Sequence, residues 1–88
     1  TPEGPVVKEE REPLIDVFDE KNEIVIIAEI PGVGEDGITV NLKGDILEIS
    51  AAGKNRTYYK EVLLPAKVEP ETLTQSYKNG VLEVRIKK

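Results

Sequence analysis

Several groups of residues in this chain have types and spacings that could do chemistry. The segment Gly34-Glu35-Asp36-Gly37 brackets a tight stretch with two glycines. A phosphate-cradling loop uses glycines so that backbone N–H groups can close on the anion, but it also needs a lysine and a helix behind it. Here two carboxylates stand where the anion would sit, so the segment reads as a solvated turn. The carboxylates Asp16, Asp19, Glu20 and Asp36 could be gathered around calcium, yet no loop of the ligand-bearing kind is present. Tyr58 and Tyr59, interleaved with Lys54, Arg56 and Lys60, imitate a stacking-and-cation patch for single-stranded nucleic acid. The formal net charge of −5 opposes a phosphate backbone, and tyrosines packed at a sheet rim are the simpler reading. Asn55-Arg56-Thr57 fits the glycosylation pattern, but nothing indicates secretion.

The absences are as informative. The chain has no histidine and no cysteine. That removes the commonest general base, the commonest transition-metal ligand, the thiol nucleophile and every disulfide. An enzyme would have to run on carboxylates, lysines and hydroxyls, and no carboxylate pair has an independent reason to be catalytic. The expectation is therefore a binding module that is not an enzyme, with no cofactor and no metal. The acidic balance disfavours nucleic acid and anionic membranes. No apolar run approaches the ~20 residues that span a bilayer, and no signal peptide opens the chain, so a cytoplasmic location is expected. Methionine is missing even at position 1, which suggests a trimmed piece of a longer product. Charged residues make up 33%, dominated by Glu and Lys, and Gln75 is the only glutamine. That composition matches the thermophile pattern of many Glu and Lys and few labile side chains.

The elements that must position these residues read as all-β. The 88 residues suffice for one small domain. Ile and Val number 19 against 7 Leu, and β-branched side chains favour a pleated, half-buried surface. Residues 1–12 are rich in Pro, Gly and charge and are expected to be a flexible arm, at most a frayed strand near Val6 and Val7. Strands are expected at 13–18, 23–30, 38–43, 46–51, 57–64, 72–77 and 81–86. Ile24, Ile26, Ala28 and Ile30 share one face of the second strand, and Val25 and Ile27 the other, so that strand should be central. Pro31-Gly32 ends it. Strand 38–43 alternates Ile38, Val40 and Leu42 with Thr39, Asn41 and Lys43. Gly44-Asp45 and Asn79-Gly80 are tight-turn signals, the second the strongest hairpin signal in the chain. The expected architecture is an immunoglobulin-like antiparallel β-sandwich of about seven strands over residues 13–88.

Particular segments resemble the α-crystallin domain of small heat-shock proteins, over about residues 13–87. Ala28-Glu29-Ile30-Pro31-Gly32-Val33 looks like that family's apolar–Pro–Gly segment. Ile38-Thr39-Val40 and Leu47-Glu48-Ile49-Ser50 are similar to its next two strands, and Leu64-Pro65 sits where it closes a long strand. Tyr77-Lys78-Asn79-Gly80-Val81-Leu82-Glu83-Val84-Arg85-Ile86 matches its Ala-x-x-x-Asn-Gly-Val-Leu hallmark from the asparagine onward. Departures are visible too. Gln75 stands at the hallmark's alanine, and Lys60 and Val62 stand where an arginine and an aromatic usually precede Leu-Pro. The stretch 51–56 is too short for the long loop whose extra strand prokaryotic relatives exchange between partners.

The resemblance implies an ATP-independent holdase that binds unfolded or partly folded client proteins and keeps them from aggregating. By analogy, the client groove would be lined by Ile38, Val40, Leu42, Leu73, Gln75 and Leu82. The bland alternative is that these residues are core. Self-association is expected through the edge strand, at Tyr58, Tyr59, Lys60 and Val62, giving a monomer or weak dimer. Pro31, Gly32, Asn79 and Gly80 would be structural turns. A non-chaperone interaction module of the same fold stays open: a CS-type co-chaperone, gas-vesicle-associated or ATPase-appended domain. The short loop and Gln75 favour it, whereas the segment 79–86 favours the chaperone.

Overall fold

The computed structural model describes residues 9–88, with Glu9 described by its backbone alone. In chain order its strands are β1 (Glu9–Arg11), β2 (Leu14–Asp19), β3 (Glu23–Glu29), β4 (Ile38–Lys43), β5 (Ile46–Ala52), β6 (Arg56–Leu63), β7 (Thr74–Lys78) and β8 (Val81–Lys87). Single 3-10 turns lie at Glu35–Gly37 and Pro70–Thr72. The strands form two four-stranded sheets, ordered β1-β6-β5-β4 and β2-β3-β8-β7. Every pairing is antiparallel except β1 with β6, which is parallel. The fold is the all-β, immunoglobulin-like sandwich expected from the alternation.

Alternation decides what is buried. On β3, Ile24, Ile26 and Ala28 point inward and have no exposed surface, as do Leu47 and Ile49 on β5 and Leu82, Val84 and Ile86 on β8. Burying each large aliphatic side chain among them stabilises the fold by about 1.5–3 kcal/mol relative to exposure. β3 lies between β2 and β8, so its outward Val25 is also buried, under its neighbours Phe18 and Arg85. No polar or charged residue is buried among those described.

Residues 1–8, expected as a flexible arm with at most a frayed strand near Val6 and Val7, lie outside the described residues. Two features of the described residues differ from the sequence reading. Glu9–Arg11, expected in the flexible arm, instead pairs with the start of β6, Glu10 opposite Thr57. An all-charged strand on an outer edge has no apolar face to announce it. Second, β7 starts at Thr74 rather than 72, because Pro70–Thr72 is wound into a turn. That turn is tied down by Thr72, whose hydroxyl donates to the Glu69 carbonyl (2.7 Å) and accepts from the Lys87 N–H (2.9 Å).

Two connections shape the site. β5 and β6 are joined through residues 53–55, closed by the Gly53 N–H donating to the Arg56 carbonyl at 2.8 Å. No further strand lies between them. Asn79 and Gly80 turn β7 into β8 with φ of 53° and 80°, the left-handed values that a two-residue hairpin requires.

Candidate functional site

The described residues offer sheet edges rather than a cleft with converging polar groups. β4 ends the first sheet and β7 ends the second, and neither has a strand on its far side among the described residues. The segment that follows β3 leads to β4, and Tyr77 on β7 holds that segment. The Tyr77 hydroxyl lies 2.8 Å from the Ile30 carbonyl oxygen and 2.7 Å from that of Val33, and it donates its proton to this pair. The start of β4 and the end of β7 therefore meet the same short loop. At the opposite end Leu64 donates to the Asp45 carbonyl (2.8 Å) and Glu69 donates to the Lys87 carbonyl (2.8 Å), so residues 64–69 link the two sheets. A concavity of about 420 Å³ opens there, lined by Gly44, Asp45, Ala66, Lys67 and Val68.

Between these ends lie partly buried apolar side chains. Ile38, Val40 and Leu42 on β4 are half-buried, as are Leu73, Tyr77, Ala66 and Val68 on the facing side, and all pack on the core. Gln75 lies on β7 between Leu73 and Tyr77 but is exposed. Its neighbour across the ladder is Val84, which places it on the inward-facing row of an outer strand. Leu82, expected in the groove, is fully buried between the sheets, since β8 is an interior strand. Ile38, Val40, Leu42 and Leu73 are partly buried and pack against the core. The sequence reading missed Ala66, Val68 and Tyr77. Tyr77 shares the parity of Gln75, which is the signal that could have found it. Ala66 and Val68 sit in a Pro-flanked loop without periodicity.

The residues expected at the edge interface divide by alternation. Tyr58 and Val62 face the core opposite Ala51 and Leu47 and are 4% and 7% exposed, so their side chains are not available at the surface. The Tyr58 hydroxyl donates to the Pro31 carbonyl at 2.9 Å, a second clamp on the same loop that Tyr77 holds. Tyr59 lies on the outer face, and its hydroxyl donates to Glu61 at 2.9 Å. That hydrogen bond, with Glu48 nearby, pushes its phenol up to about 12. Burial, then the nearby Tyr58, raises that of Tyr77. Lys60 points inward at the rim and pairs with Glu12 at 3.2 Å. An inward-pointing charge of this kind discourages edge-to-edge association. Pro31 and Gly32 form the clamped loop, Gly32 with φ of 85°.

Two exposed apolar features had no place in the sequence reading of the site. Leu14 and Phe18 on the outer face of β2 are 71% and 48% exposed. Ile46 and Leu63, cross-strand partners on the outer face of the first sheet, are 37% and 69% exposed. No group of three or more acidic residues among those described is placed to hold a metal ion. No helix among them is long and apolar enough to cross a membrane.

Comparison with known proteins places this arrangement. The model of the Hsp20/alpha crystallin family matches residues 16–88. A probable 15 kDa heat shock protein of Leptospira interrogans is 29% identical over 86% of this chain and 69% of its own length. Small heat shock protein C4 of Rickettsia felis is 27% identical over 86% of this chain, and the chain spans only 56% of it. Among solved structures, the Del-C4 mutant of hsp14.1 from Sulfolobus solfatataricus P2 superposes with a TM-score of 0.75 at 32% identity, covering 86% of this chain and 74% of that one. With the family model spanning the chain from within β2 to its last residue, and with both sheets in place, the chain belongs to the Hsp20/alpha crystallin family.

Proposed function

We propose that this domain acts as an ATP-independent holdase, which captures extended apolar segments of partly unfolded proteins and so keeps them from aggregating. The observation that carries the reading is the pair of edges, β4 and β7, that no other described strand covers, with half-buried aliphatic side chains beside them. An extended client segment can add main-chain hydrogen bonds to such an edge and set alternate side chains against Val40, Leu42 and Leu73. Nothing in that chemistry needs a nucleotide or a metal. The patch is small, so binding by the isolated domain is weak and broad in specificity.

Assembly follows from the same edges. The turn at residues 53–55 leaves no strand to donate, and Lys60 guards β6. The 88 residues are accordingly a monomer, or a weak dimer through the β6 edge. A stable assembly of a dozen or more subunits, or a dimer with an exchanged strand, would contradict this in sedimentation or crystallography.

The experiment is suppression of client aggregation, followed by light scattering, with the unaltered chain and with Val40→Asp. Val40 is half-buried at the margin, so the charge blocks the groove while the fully buried core stays apolar. Suppression by the unaltered chain that falls several-fold in the variant supports the proposal. No suppression at any ratio favours the second reading, a non-chaperone interaction module, which the exposed Gln75 and the short β5–β6 turn recommend.

A further inference from the structure

One feature of the β6 edge is unused by client capture: three residues of it are already occupied by β1. The Arg56 carbonyl accepts from Gly53 on the β5 side. By alternation Tyr58, Lys60 and Val62 also turn their backbone groups toward β5, while Thr57, Tyr59, Glu61 and Leu63 turn theirs to the open side. β1 meets that side in parallel, Glu9 to Arg11 against Arg56 to Tyr58. Glu12 extends the cover through its ion pair with Lys60. No described strand pairs with residues 59–63 on this side.

A second copy docking edge to edge is tightly constrained. Two identical strands in a closed pair run antiparallel about a two-fold axis. That axis must pass through the sheet, so residues opposite one another share a face, and odd-numbered residues meet only odd-numbered ones. With β1 in place, the longest such register covers residues 59–63 and sets Glu61 against the second copy's Glu61. A register centred one step back sets Lys60 against the second copy's Lys60. Like charges directly opposed are destabilising. A register centred on Val62 pairs only residues 61–63. Without β1, residues 56–62 become available in a register centred on Tyr59. There Tyr59 meets the second copy's Tyr59, Tyr58 meets its Lys60, Thr57 meets its Glu61 and Arg56 meets its Val62. No like charges oppose, and an aromatic pair lies at the centre.

We propose that β1 is a removable cap: while paired it keeps the β6 edge monomeric, and its release admits a second copy of this chain across β6 in the register centred on Tyr59. This rests on the assembly reading above, in which no strand is exchanged. The device is specific to self-association and leaves the β4–β7 groove free on both copies.

The test uses the full 88 residues. Thr57 faces β1, so the parallel ladder takes the N–H of Arg11, the residue after its partner Glu10. Arg11→Pro removes that donor, and adding Glu12→Gln removes the ion pair. In sedimentation the unaltered chain is expected at its monomer mass of 9.7 kDa and the double variant at twice that. The chain has no cysteine, so Tyr59→Cys supplies a single thiol. In the double-variant background it is expected to cross-link on oxidation, because directly opposed strand residues lie within disulfide reach, whereas Glu61→Cys is not. The opposite variant joins β1 to β6 by a disulfide between Glu10→Cys and Thr57→Cys, and it changes no buried core residue. It is expected to stay monomeric at every concentration. A released variant that remains monomeric, cross-linking through position 61 in place of 59, or a dimer of the locked chain overturns the cap. Strand exchange would appear instead as a stable dimer of the unaltered chain that a cysteine at position 59 does not cross-link, and would overturn the assembly reading with it; a dimer of the unaltered chain that Tyr59→Cys does cross-link overturns the cap alone.

Discussion

Tyr77 shows how much one side chain decides here. It is one of two tyrosines whose hydroxyls hold the Ile30-to-Val33 loop, and that loop fixes where β4 begins. Tyr77→Phe keeps the ring and loses the donor, leaving two carbonyls to find water. The expected cost is about 0.5–1.5 kcal/mol in a denaturant melt, with faster amide exchange at the start of β4. Tyr59 contributes to the stability lost at high pH. Its phenol is raised by the Glu61 hydrogen bond to about 12, above the ordinary value of 10.0. A raised folded-state value means that the folded protein holds this proton more tightly than the unfolded chain does. The stabilisation is complete below pH about 10 and is lost as pH rises through about 12. Stability measured across that window should fall, and Tyr59→Phe should remove part of the fall. A loss of equal size in the variant would show that Tyr59 plays no part.

At the scale of the element, the hairpins and close approaches carry the sharpest expectations. Gly80 has φ of 80°, so Gly80→Val forces a β-branched residue into left-handed backbone and should cost on the order of 1–3 kcal/mol. A loss under about 0.5 kcal/mol would mean that the turn rearranges without strain. Gly53 has a different duty. A Cβ there would lie 2.5 Å from the Gly32 carbonyl oxygen and 3.1 Å from Val33 Cγ2, so the β5–β6 turn packs directly against the clamped loop. Gly53→Ala should therefore cost about 1–3 kcal/mol, read as a lower denaturant midpoint. The strands themselves were legible because period-two alternation in β4, β5 and β8 marks which face is buried. Turn chemistry at Gly44-Asp45 and Asn79-Gly80 marked where they end. β1 was not legible, since Glu9-Glu10-Arg11 has no apolar alternation and is a strand only by virtue of the edge it covers. The candidate site was half legible for a related reason. Alternation places Leu82 and Val40 alike on inward faces, and only sheet order reveals that β8 is interior and β4 is an edge. The same blindness hid that the side chains of Tyr58 and Val62 on that edge strand are buried in the core.

For the whole molecule, the surface is laced with charge pairs around a wholly apolar core. Arg85 bonds both Glu83 (2.7 Å) and Glu23 (2.8 Å), and Lys43 lies 3.6 Å from Glu48. Each is worth little alone at room temperature, but networks of this kind gain weight on heating. With the Glu/Lys-rich composition, they lead us to expect a cooperative thermal transition above ~80 °C, against about 45–65 °C for ordinary domains. A calorimetric midpoint below about 60 °C would remove the basis for a thermophilic origin. The proposed function depends on which of three apolar surfaces meets a client: the β4–β7 margin, the Leu14 and Phe18 face of β2, or the Ile46–Leu63 pair. The most direct measurement is methyl and amide NMR of the labelled domain as a partly unfolded client is added. Holdase action at the groove predicts shifts and broadening concentrated at Ile38, Val40, Leu42, Leu73 and Tyr77. Perturbation confined to Leu14 and Phe18, or to Ile46 and Leu63, would contradict it.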